Sequence, residues 1–162
     1  MSRKIPTILF ALGLITTGLL AHTATAMTPS ARTMNLLGPN VGVEGYDPVS
    51  YWSEGGSKPM QGTIKLTYNH AGVNYRFVNE KNLETFKMSP ERFLPQYGGY
   101  CAWAIGAINQ RVDVNPNHYV IRDGKLYLFF SDANIVTHDF WKKDTVALIE
   151  KGDAAYGKLL AE

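Results

Sequence analysis

The stretch His118-Tyr119-Val120-Ile121-Arg122-Asp123-Gly124-Lys125-Leu126-Tyr127-Leu128-Phe129-Phe130 decides the fold class. Two runs rich in β-branched and aromatic residues flank Asp-Gly, a dipeptide that accepts positive φ at both central positions of a type I′ turn, so the stretch predicts a β-hairpin. A second hairpin is predicted upstream, where Ile64 to Tyr68 and Val73 to Phe77 alternate apolar and polar residues around Asn69-His70-Ala71-Gly72. Between the hairpins the signals turn helical: Asn79 is a cap with Glu80 in the first turn, and Leu83 and Phe86 fall three apart. Ser89-Pro90 opens a second short turn that buries Phe93 and Leu94. From Asn134 onward, Ile135, Phe140 and Trp141, then Asp144 as a cap before Val146, Leu148, Ile149, Tyr156, Leu159 and Leu160, predict helix, weakened at Gly152 and Gly157. The expected class is α+β: a small single domain of two β-hairpins packed against several short helices, with a longer C-terminal helical segment.

The two ends of the chain bound its setting. Arg3 and Lys4, the apolar run Ile5 to Leu20 and the small residues Ala24-Thr25-Ala26 predict a cleavable signal peptide over 1–26, with the mature chain starting at Met27. The apolar run is short for a membrane span and contains Thr16, Thr17 and Gly18, so cleavage is expected over permanent anchoring. No cysteine stands near that cleavage site to carry a lipid, and the expected product is a soluble exported protein, periplasmic if the source has two membranes. Residues 27–44 are polar and glycine-containing and read as a flexible lead-in, leaving 45–162 as the domain. The whole chain has 16 Lys and Arg against 14 Asp and Glu, and Arg3 and Lys4 leave with the signal, so the mature charge is balanced and nothing favours nucleic acid.

The run Pro95-Gln96-Tyr97-Gly98-Gly99-Tyr100-Cys101-Ala102-Trp103-Ala104 holds the single cysteine. Paired glycines permit left-handed backbone, and the alanine-rich stretch behind them favours a helix, which places Cys101 near a helix N-terminus, where thiolate is favoured. Free cysteine is equally a small hydrophobe of protein cores.

Taken together, Gly45-Tyr46-Asp47-Pro48-Val49 with Tyr51, the hairpin and helix ending at Phe86, Ser89-Pro90-Glu91-Arg92-Phe93, Tyr97 to Ala102 and Asp123 to Leu128 resemble the exported stand-alone members of the YHS domain family. Related YHS domains occur in copper-transporting ATPases and in some monooxygenases, and the resemblance implies metal binding by cysteines of the hairpin-helix unit. This chain departs from that pattern: the two ligand places hold Val78 and Asn82, and the region of the cysteine pair at the domain's start holds Asp47-Pro48-Val49.

Three readings of Cys101 stay open. As a metal ligand it would join a histidine of the mature chain, His118 before His70 or His138, with Met60 or Met88, to bind copper or zinc. No Cys-x-x-Cys or His-x-x-x-His spacing supports this, so folding alone would gather the ligands. As a nucleophile it would use an imidazole oriented by Asp113 or Asn115 and the amides of the glycine turn as an oxyanion hole. As a core residue it would belong to a non-catalytic module that binds a small ligand or a partner protein through aromatic residues such as Tyr46, Tyr51, Trp52, Tyr97, Tyr100 and Trp103.

Overall fold

The computed structural model describes residues 31–161. The signal segment expected over 1–26 lies outside them. Both predicted hairpins are present. Strands β3 (Thr63–His70) and β4 (Val73–Phe77) pair antiparallel through a turn at Ala71 and Gly72, whose φ values are 50° and 82°. Strands β5 (Asn115–Arg122) and β6 (Lys125–Phe129) pair through Asp123 and Gly124 at φ 51° and 70°, the positive pair that the Asp-Gly dipeptide predicts. His70, read as a turn residue, ends β3 instead and pairs with Val73.

Residues 31–44 differ from the expected flexible lead-in. Strands β1 (Leu36–Leu37) and β2 (Val41–Gly42) add to the first hairpin in the order β1-β2-β4-β3, with β2 parallel to β4. Met34, Val41 and Val43 are buried, and the Asn35 amide donates to the Gly98 carbonyl at 2.9 Å. Two-residue strands leave no periodicity in the sequence, which is why the polar composition reads as loop.

Helix α1 (Glu80–Met88) starts as predicted, with the Asn79 side chain accepting from the Asn82 amide at 2.8 Å. Pro90 opens α2 (Pro90–Phe93), although the Ser89 side chain makes no cap bond. The C-terminal helical segment divides into α4 (Thr137–Trp141) and α5 (Thr145–Leu160); Asp144 precedes α5 but caps it only through its backbone carbonyl. Gly152 has a packing reason: a Cβ there would lie 2.6 Å from the Tyr97 hydroxyl.

Strand β6 organises the interior. Leu126 and Leu128 face one apolar cluster with Tyr51, Tyr75, Phe77, Phe86, Phe93 and Cys101. Tyr127 and Phe129, on the opposite face, join Tyr97, Ile105, Trp141, Leu148 and Tyr156. A strand buried on both faces is apolar throughout, as Leu126 to Phe129 is. The mixture of helices and strands in one small domain is α+β. Among the described residues no helix is long and apolar enough to cross a membrane.

Candidate functional site

Cys101 immediately precedes α3 (Ala102–Ile108), where the sequence placed it, after Tyr97, Gly98 and Gly99 at φ 55°, 62° and 85°. Its surroundings close it off. The residue is 0% exposed and packs in the first cluster. Its sulfur lies 3.3 Å from Thr137 Oγ1, and that hydroxyl is 2.9 Å from the Phe130 carbonyl, which can only accept. Thr137 therefore donates to Phe130, and Cys101 S–H donates to Thr137, an arrangement that uses the thiol proton. The Cys101 amide donates to the Val112 carbonyl at 2.9 Å and the Tyr100 amide to Tyr97 at 3.1 Å, so neither is free to meet an oxyanion.

The fold brings His118 near His138 and leaves His70 apart from both. His118 sits in an irregular stretch of β5 between Asn115 and Tyr119, and its electrostatic neighbours are His138 and Asp139 on α4. Burial holds the His138 imidazole below its ordinary range; Lys142 and His118 push the same way, against Asp139. His70 Nε2 is 3.3 Å from Glu91 Oε1, with its ring edge-on to Phe86. Among the described residues no group of three or more His, Cys, Asp and Glu side chains converges as a metal-binding set.

Val78 and Asn82 converge on a carboxylate. Asp47, 0% exposed, accepts through Oδ2 from the Val78 amide at 3.0 Å and from Asn82 Nδ2 at 2.7 Å. Its Oδ1 accepts from the Val49 amide at 2.8 Å and the Ser50 amide at 3.3 Å, and its carbonyl accepts from Ser50 Oγ at 2.6 Å. Four donors on one carboxylate tie the Asp-Pro turn to the end of β4 and the start of α1. The sequence marks Asp47 as a turn residue; its partners thirty residues onward have no signature.

Three of the aromatic residues singled out above, Tyr51, Tyr97 and Tyr100, serve as structural ties. Tyr51 donates to the Pro116 carbonyl at 3.0 Å, Tyr97 to Asp153 Oδ1 at 3.1 Å and Tyr100 to the Met34 carbonyl at 3.1 Å. Burial, with the Asp153 carboxylate beside it, pushes the Tyr97 phenol up. The Trp52 indole N–H is buried without a partner among the described residues. Concave surface lies beside Ile105, Arg111 and Leu159, where a pocket holds about 260 Å³, and on both sides of Glu91 and Leu94. One side is a pocket of about 130 Å³ formed by Met34, His70, Ala71, Val73, Tyr75, Glu91 and Leu94. The other is a more open cleft of about 370 Å³ that reaches Tyr97, Lys125, Asp153 and Leu160. Met34, Tyr75 and Glu91 were not legible as site residues, because the lead-in, β4 and α2 meet only in the fold. No protein-family model, curated protein or solved structure matches the chain.

Proposed function

We propose that this protein is an exported, YHS-type binding module that takes a small ligand in the concave surface flanking Glu91 and Leu94, with Cys101 serving the core and not a reacting centre. The observation that carries the reading is the enclosed thiol, 0% exposed and donating to Thr137. A nucleophile needs access and a base within hydrogen-bond reach, whereas the Cys101 sulfur meets a hydroxyl that is itself committed to Phe130. The Asp47 knot supports the same reading. Where the resemblance implies metal-binding cysteines, a carboxylate holds Val78 and Asn82 by hydrogen bonds, so the hairpin-helix unit is tied without an ion.

The test is made on tag-free mature protein, whose N-terminus is expected at Met27. Cys101 is expected to alkylate only after denaturation, and copper and zinc are expected well below one equivalent. Fast alkylation of the folded protein near neutral pH would establish an accessible nucleophile and overturn the reading. One equivalent of copper(I) or zinc, lost in Cys101→Ser, would replace it with the metal site of Cys101 and His118.

A further inference from the structure

The smaller pocket is built from four parts of the chain: Met34 from the docked lead-in, His70 and Ala71 from the end of β3 and the turn after it, Val73 and Tyr75 from β4, and Glu91 and Leu94 from α2 and just after it. Its lining is mostly apolar, and three polar groups border it. His70 and Glu91 pair with each other, the imidazole held in place by its edge-on contact with Phe86. The third is Tyr75, which is 1% exposed. Its hydroxyl makes no hydrogen bond among the described residues, unlike those of Tyr51, Tyr97, Tyr100 and Tyr156. The residue is buried, but its hydroxyl oxygen is not sealed off, so it is open to a partner from outside, and a ligand hydroxyl can take the place of water there.

We propose that this pocket binds a small uncharged molecule built on one ring and carrying a hydroxyl group. The volume of about 130 Å³ is close to the roughly 150 Å³ of an apolar cavity known to admit benzene. A ring fills such a space with little conformational entropy to lose. Charge of either sign is disfavoured, because a charged ligand would leave water for a mostly apolar lining. A hydroxyl both donates and accepts, so it satisfies the Tyr75 O–H as acceptor or the Glu91 carboxylate as donor. Burial pushes the Tyr75 phenol up, which keeps it a donor at neutral pH.

This inference rests on the binding-module reading and names its ligand class. The probes are phenol and benzene, titrated into the mature protein at neutral pH and followed by NMR of the Val73 and Leu94 methyl groups and the Tyr75 ring. Saturable shifts with phenol are expected, with benzene weaker. Tyr75→Phe should weaken phenol by about fivefold or more, the worth of one hydrogen bond, and leave benzene unchanged. Leu94→Trp, which fills the pocket from a half-buried wall, should abolish both. Absence of saturable phenol binding to the wild-type protein overturns the proposal, and so does equal affinity for phenol and benzene, which needs no variant to fold. The thiol and metal measurements are independent of these. Failure with phenol while Cys101 stays protected removes this ligand class and leaves the module reading standing. Fast alkylation or thiol-dependent metal uptake removes the module reading whatever phenol does.

Discussion

Asp47 and Tyr75 are buried to the same degree as residues, at 0% and 1% exposure. Their hydrogen bonding is opposite. Asp47 meets four donors drawn from its own turn, from Val78 and from Asn82. Tyr75 meets none among the described residues, and the space beside it is a pocket. A buried polar group with every lone pair engaged rigidifies the fold around it, whereas one left open is available to something from outside. Cys101 stands between the two, with a single side-chain bond, to Thr137.

The contrast is broken most directly at Asp47. Asp47→Ala leaves the Val49, Ser50 and Val78 amides and the Asn82 amide group without their acceptor, and the expected loss is about 3–5 kcal/mol, read from chemical denaturation. A variant that unfolds at the wild-type denaturant concentration would show the knot to be dispensable. Next in size is Cys101→Ser, expected to cost roughly 1–3 kcal/mol because a more polar hydroxyl replaces the thiol in an apolar enclosure. A Cys101→Ser protein as stable as wild type would place the thiol in a wetter setting than its burial implies.

A smaller effect should follow pH through His138. Its pKa is lowered from 6.5 in the fold, mainly by burial, so near and just below that pH the unfolded chain binds more protons than the folded one. Stability from this group is complete above 6.5 and is lost as pH falls through 6.5 toward the lower folded value. The thermal midpoint should therefore drop on mild acidification, and less so in His138→Gln. A profile unchanged by that substitution would contradict the assignment. Smallest of all is Tyr75→Phe. Removing a hydroxyl that bonds nothing among the described residues should change stability by less than about 1 kcal/mol in either direction. A loss comparable with Asp47→Ala would mean that Tyr75 is already satisfied and would erase the comparison.

Local chemistry was legible wherever neighbours along the chain supplied it. The alternation in β3 and β4, the Asp123-Gly124 turn, the Asn79 cap, Pro90 at a helix start and the positive φ of Gly98 and Gly99 all follow from short-range sterics and hydrogen bonds. These elements define an α+β domain and place Cys101 at the start of α3. Three features needed the fold. The lead-in docks because Met34, Val41 and Val43 find apolar partners that no local pattern announces. Gly152, a weak point for an isolated helix, admits the Tyr97 ring against α5. The fate of every polar group, with Asp47 tied to Val78 and Asn82, Cys101 to Thr137, and Tyr75 left open, was decided by tertiary structure. Such bonds depend on distances between residues far apart in sequence, and residue type alone states only what a group is able to donate or accept.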